Sequence, residues 1–148
     1  MLKFKIVTPE RVLLEKDIDS LTVPTQTGEI TVLTNHIPLV SNIKPGELRF
    51  KDKTGETIMA VSSGFLEVRP NNEVVILADT AELANEIDLD RAEKARQQAQ
   101  EMMKENYQDQ KLSADAMGIL EKNLARLRVG KKHRTHTNRN LESGNLHE

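Results

Sequence analysis

Residues 73–102 read EVVILADTAELANEIDLDRAEKARQQAQEM, and the period of their apolar residues changes partway. Glu73 to Leu77 is a short aliphatic run rich in β-branched residues, suited to a strand. After Ala78 the spacing lengthens: Leu89, Ala92, Ala95, Ala99 and Met102 recur at intervals of three and four, the mark of one helix face. Asp88 stands where an N-cap belongs, with a carboxylate able to accept from the free N–H groups of a first turn. The chain therefore changes class near residue 86.

Toward the N-terminus the strand pattern persists. Leu2, Phe4 and Ile6 alternate with Lys3 and Lys5. Further short strands are expected at Arg11–Glu15, Ser20–Val23, Ile30–Leu33, Leu39–Ile43, Glu47–Lys51, Thr57–Val61 and Phe65–Arg69. Thr27-Gly28, Lys44-Pro45-Gly46, Asp52-Lys53-Thr54-Gly55 and Pro70-Asn71-Asn72 punctuate them with turn residues. Many short strands at this spacing imply an antiparallel sandwich or barrel. Toward the C-terminus, polar residues 106–111 interrupt the helix. A second helix is expected from Ser113 as N-cap, with Leu112 and Met117 as a hydrophobic staple. Met117, Leu120, Leu124 and Leu127 would form its stripe and Gly130 its stop. So short a connection favours an antiparallel hairpin. The fold class is α+β in two domains: an antiparallel β-sandwich (1–86), an antiparallel two-helix hairpin (87–130) and a disordered polar tail (131–148).

Composition narrows the function. There is no Cys, so disulfides, thiolate chemistry and Cys-based zinc sites are excluded. No apolar run approaches a membrane span, and the N-terminus lacks the apolar stretch of a signal peptide. The sequence reads as a soluble cytoplasmic chain that meets a membrane only through a partner. Residues 1–86 carry 9 Lys/Arg against 13 Asp/Glu, and residues 87–148 carry 12 against 10. Lys122, Arg126, Arg128, Lys131, Lys132, Arg134 and Arg139 follow one another without an intervening acid, which suits an acidic partner as well as a solvated tail. No aromatic platform accompanies the run, so nucleic acid is a poor partner. His133 and His136 lack a third ligand for a metal, and no acid, base and nucleophile converge in the sequence as an enzyme needs.

Specific residues add a resemblance. Gly28-Glu29-Ile30 and then Thr34-Asn35-His36-Ile37-Pro38-Leu39 are followed in order by Lys44-Pro45-Gly46, Ser63-Gly64-Phe65-Leu66-Glu67-Val68 and Val75-Ile76-Leu77-Ala78-Asp79-Thr80-Ala81. Ile87-Asp88-Leu89-Asp90-Arg91-Ala92 and Arg126-Leu127-Arg128-Val129 complete the series. Together these resemble the ε subunits of bacterial F-type ATP synthases over residues 1 to about 130. The resemblance implies a non-catalytic subunit of the rotor stalk, peripheral on the cytoplasmic face of the cell membrane. Its sandwich would bind the γ subunit and the rotor (c) ring. Its hairpin would either fold against the sandwich or extend into the α/β catalytic head and block ATP hydrolysis.

Each candidate site has a plainer local reading beside it. Glu29 and His36 would meet the rotor ring through charge-assisted hydrogen bonds, or His36 merely orders its own loop. Ile87, Asp88, Arg91 and Ala92 resemble the family's nucleotide motif. Asp88 would accept from the base or ribose, Arg91 would hold a phosphate bidentately, and Arg126 with Lys122 would complete a basic cluster. Locally, Asp88 is an N-cap and Arg91 pairs with it at i+3. The family's nucleotide binders carry another Arg seven residues past the motif Arg, and here that position is Gln98, so ATP is expected as a weak regulatory ligand and no cofactor is required. Lys122, Arg126 and Arg128 would carry the inhibitory contact with the catalytic head. A free-standing nucleotide-sensing protein built on the same hairpin is the competing reading, separable by whether a stoichiometric γ partner is needed.

Overall fold

The computed structural model describes residues 1–106 and 108–144, with the side chains of residues 136, 138 and 140–144 left aside. It separates into two compact units, Met1–Leu83 and the part from Ala84 onward. The first holds ten strands: β1 (Leu2–Val7), β2 (Val12–Ile18), β3 (Ser20–Thr25), β4 (Gly28–Leu33), β5 (Leu39–Ile43), β6 (Gly46–Asp52), β7 (Gly55–Val61), β8 (Gly64–Arg69), β9 (Glu73–Ala78) and β10 (Ala81–Leu83). Nine correspond to expected strands. The three-residue β10, which pairs antiparallel with β7, is too short to leave a period in the sequence.

Hydrogen bonding runs β10-β7-β6-β3-β5-β8-β9-β1-β2, with β4 on the other edge of β3. Only Thr25↔Ile43 joins β3 to β5, and at this single pair the sheet folds over into two layers. Phe4 of β1 and Phe50 of β6 are far apart in the strand order, yet their ring centroids lie 5.4 Å apart. Alternation places Leu2, Phe4, Ile6, Leu21, Val23, Leu48, Leu66 and Ile76 inside, each at most 1% exposed. One pairing departs from the antiparallel expectation: β1 runs parallel to β9, because the chain's first strand is inserted between β2 and β9. Lys16 and Asp52 form an ion pair across β2 and β6. Asn35, Asn71 and Asn72 adopt positive φ in the turns, and Asn35 N–H donates to Asn72 Oδ1 at 2.6 Å, tying the β4–β5 loop to the β8–β9 turn.

The second unit opens with a 3-10 turn, Ala84–Glu86, followed by α1 (Leu89–Glu105) and α2 (Gln110–Gly144). Asp88 is the N-cap of α1, its Oδ1 accepting from Arg91 N–H at 3.1 Å. Two contacts fix an antiparallel register: Ser113 Oγ donates to Asn106 O at 2.9 Å, and Gly130 sits against Leu89. The seam is rich in small residues, Ala92, Ala99 and Ala116, each at most 1% exposed, with Asn123, Leu127 and Val129 of α2 also buried.

Three expectations for α2 are corrected. The helix starts before Ser113, capped by Asp109, whose Oδ1 accepts from Lys111 N–H and Leu112 N–H at 3.1 and 3.2 Å. Leu112, Met117 and Leu124 are 39%, 41% and 40% exposed, whereas Leu127 is buried as expected, and Ala116 and Asn123 join it on the buried face in place of Met117 and Leu124. Finally, α2 passes through Gly130 to Gly144, where the sequence reading stops it at 130 and begins a tail at 131; residues 145–148 lie outside the described residues. A glycine that stops a helix commonly does so in the left-handed region, and among the described residues the glycines there are Gly28 and Gly55. Within a helix one Gly costs about 1 kcal/mol relative to Ala. No Pro follows Gly130, and Thr135 and Thr137 donate back to the carbonyls of Lys131 and His133.

Candidate functional site

The start of α1 carries the nucleotide-motif residues. Ile87 is buried, Ala92 fully so, and Asp88 and Arg91 are exposed. The expected side-chain pairing of Asp88 with Arg91 is not made, because the carboxylate accepts from the Arg91 backbone instead. The Arg91 guanidinium has no partner among the described residues. Arg96 cannot stand in for the absent Arg at position 98. Its Nε donates to Glu93 at 3.1 Å and its NH1 to Gln100 at 3.1 Å. The hydrogen bond from Arg96 holds the Glu93 carboxyl below the usual range, with Lys131 adding to it.

On α2 the basic residues divide. Successive residues turn by about 100°, so Lys122 and Arg126, four apart, share a face, and Arg128 points to the opposite side. Lys122 and Arg126 are half-buried and Arg128 is exposed. Arg126 NH1 donates to Asn123 Oδ1 at 3.0 Å. The three do not form one surface.

Glu29 and His36 are likewise apart. Glu29 lies in β4 and not in a loop, and it accepts from Arg49 NH2 at 2.9 Å. The guanidinium of Arg49, half-desolvated yet held by Glu47 and Glu29, is kept firmly protonated. His36 follows the far end of β4, in a turn closed by its N–H to Leu33 O at 3.1 Å. Its Nδ1 donates to Ile37 O at 2.7 Å. At about 3.4 Å per residue, β4 separates the Glu29 end from the His36 turn by roughly 14 Å.

A further surface was not anticipated from the sequence. Val40, Phe65 and Leu77 are 70%, 53% and 44% exposed, on the outer side of β5, β8 and β9. Phe65 pairs directly with Leu77 across β8 and β9. The signal was present as neighbouring apolar residues, Phe65-Leu66 and Ile76-Leu77. Such doublets make both faces of a strand apolar and so demand a second cover. Among the described residues no helix is long and apolar enough to cross a membrane, and no three ligand-type side chains are grouped for a metal.

Two family models divide the chain where the compact units meet. The beta-sandwich domain of the ATP synthase delta/epsilon chain matches residues 1–84, and the long alpha-helix domain of the same chain matches residues 85–131. An ATP synthase epsilon chain from Dehalococcoides mccartyi is 42% identical over 135 residues, covering 91% of this chain and 96% of that one. Another, from Herpetosiphon aurantiacus, is 41% identical over 133 residues, 90% and 96% of the two chains. A chain in a cryo-EM structure of the Euglena gracilis mitochondrial ATP synthase shares the fold. Its TM-score is 0.73 at 23% identity, over 84% of this chain and 78% of that one.

Proposed function

This chain belongs to the ATP synthase delta/epsilon family and is a non-catalytic subunit of that synthase, and from that premise we propose that it works in the central stalk, its sandwich docked on the γ subunit and its hairpin restraining ATP hydrolysis. The observation that carries the docking is the exposed apolar face of Val40, Phe65 and Leu77. A large aromatic and two aliphatics on a rigid sheet supply the desolvated centre that a lasting interface requires. The subunit then reaches the membrane only through the rotor ring, on the cytoplasmic face. Ring contact falls to the His36 turn. Ile37 there is 75% exposed, and Glu29, at the other end of β4, already holds Arg49.

Restraint of hydrolysis follows from the alanine seam. Each Ala in place of Leu forgoes roughly 2 kcal/mol of burial, so α2 leaves α1 easily, and the freed helices reach the α/β head. ATP is a weak regulatory ligand here. The unpartnered Arg91 guanidinium supports phosphate contact, while Gln98 and the engaged Arg96 remove the second cation.

Phe65→Asp tests the docking. It should lower affinity for γ at least a hundredfold in titration while the sandwich melts as before. Unchanged affinity would move the γ interface elsewhere. Hydrolysis by the assembled head, with the full chain or with residues 87–148 removed, tests the restraint. Equal rates would remove the hairpin from it.

A further inference from the structure

We infer that the C-terminal continuation of α2 and the 3-10 turn before α1 form a binding site for a phosphate-type anion, separate from the Asp88–Arg91 motif. A cavity of about 270 Å³ lies between them. Asn85 and Ile87 make one wall, and Gly130, His133, Arg134 and Thr137 make the other. The α2 residues follow one another at i, i+3, i+4 and i+7, so they line a single helix face. His133, Arg134 and Thr137 lie beyond residue 131, where the matched helix domain ends.

Asn85 and Arg134 are exposed and His133 is half-buried. Neither the Asn85 amide, the His133 imidazole nor the Arg134 guanidinium has a hydrogen bond or ion pair among the described residues. The Thr137 hydroxyl is occupied, donating to His133 O at 3.1 Å. The walls offer donors, a planar guanidinium fork, an amide N–H pair and an imidazole N–H, beside two acceptors, the amide oxygen and the imidazole's other nitrogen. A phosphate oxygen accepts and does not donate, and the fork matches it bidentately. No carboxylate is among the lining residues. The volume is below the range of about 300–1,000 Å³ that encloses a drug-sized ligand. It suits inorganic phosphate, or one phosphoryl group of a larger molecule whose remainder stays outside.

Gly130 is needed for this geometry. A Cβ there would come within 2.6 Å of Leu89 Cδ2 and 3.3 Å of Ile87 Cγ2, so only glycine lets α2 pass this close to the residues that floor the cavity. An anion held between Asn85 and Arg134 ties α2 to the segment that leads into α1. Bound only by the closed hairpin, it would make opening about a hundredfold rarer at a hundredfold excess over its dissociation constant. The site itself does not depend on whether hairpin opening regulates hydrolysis.

The test is an amide NMR titration of the full chain, with sodium phosphate balanced against chloride at fixed ionic strength, and separately with ATP. Saturable shifts at Asn85, Gly130 and Arg134 are expected. Arg134→Gln should weaken them about tenfold, a modest loss for a hydrogen bond to a charged group, and Arg91→Gln should leave them unchanged. A response to phosphate alone identifies a free anion. A response to ATP alone that survives Arg91→Gln identifies a nucleotide's phosphoryl group. Absence of saturable shifts with both ligands, equal affinity in Arg134→Gln, or loss of the shifts in Arg91→Gln would each overturn the site.

Discussion

Asn123→Leu is expected to close the hairpin more tightly. Asn123 is 3% exposed, and the register set by Leu89 with Gly130 and Asn106 with Ser113 brings it level with the middle of α1. Its Nδ2 donates to Ile119 O at 2.8 Å and its Oδ1 accepts from Arg126 NH1 at 3.0 Å. Both partners are on α2 itself, so neither bond is broken when the helices part, and neither holds them together. What opening changes is the exposure of the side chain. An amide regains water, whereas a leucine would lose burial of about 1.5–3 kcal/mol. Some of that is forfeited if the larger side chain strains the alanine seam. A net of about 1–2 kcal/mol remains, a factor of roughly 5–30 in the opening equilibrium. Hydrogen exchange of α1 and α2 amides reads it directly, and ATP hydrolysis by the assembled complex should rise alongside. Lower protection in the variant would refute the packing argument. Higher protection with unchanged hydrolysis would refute opening as the inhibitory step.

The Asp52 carboxyl is held well below the usual carboxylate range, first by the hydrogen bond from Lys16 and then by Thr54. A depressed folded value contributes stability above the unfolded pKa of about 4, and that stability is lost as pH falls toward the folded value. The melting advantage of the wild type over Asp52→Asn should therefore shrink from pH 5 to about pH 2, and a constant gap would discount the ion pair. Because Lys122 and Arg126 face away from Arg128, a partner can meet only one set. Neutralising the pair to Gln should raise hydrolysis by the complex at low salt more than Arg128→Gln does, and equal effects would discount a one-faced electrostatic contact. Gly64→Ala should abolish folding of the sandwich, since its Cβ would fall 1.9 Å from Leu77 O across the β8–β9 pairing. A cooperative melt near the wild-type midpoint would contradict this.

The sandwich was legible because its strands obey two local rules at once, alternation and turn chemistry. Leu2, Phe4 and Ile6 announce an inward face, and Asn71-Asn72 can take the positive φ the β8–β9 turn uses. The parallel insertion of β1 beside β9 was not legible, since strand order is set by which faces meet and leaves no local period. The helix face was misread for a related reason. Met117 and Leu124 fit the 3-4 spacing as well as Ala116 and Asn123 do, and hydrophobicity favours the former. A seam this narrow selects small side chains, so size decided which stripe turned inward. Composition makes Gly130 read as a stop, whereas its missing Cβ serves close approach to Leu89. Of the candidate sites, the motifs name single residues but not their grouping: how far Glu29 lies from His36, or Arg128 from Arg126, depends on strand length and helical angle.

The two units are stabilised to very different degrees, and this bears on how any variant is read. The largest fully buried side chains, Phe4, Leu2, Ile6, Ile18, Leu21 and Ile43 among them, all belong to the sandwich. Burial of each such side chain contributes about 1.5–3 kcal/mol. In the hairpin the residues buried as completely are Ala92, Ala99, Ala116 and Val129, and the three alanines contribute little. The helices also carry exposed Leu112, Ile119 and Leu124, apolar surface that the closed hairpin leaves uncovered and that another surface could cover. An element whose closed form buries little and exposes some apolar surface lies within a few kcal/mol of an alternative packing, as a two-state element must. The same loss of about 1 kcal/mol is therefore minor in the sandwich, where it slightly lowers a melting temperature. In the hairpin it shifts a population about fivefold, and only an assay of opening or of hydrolysis would register it.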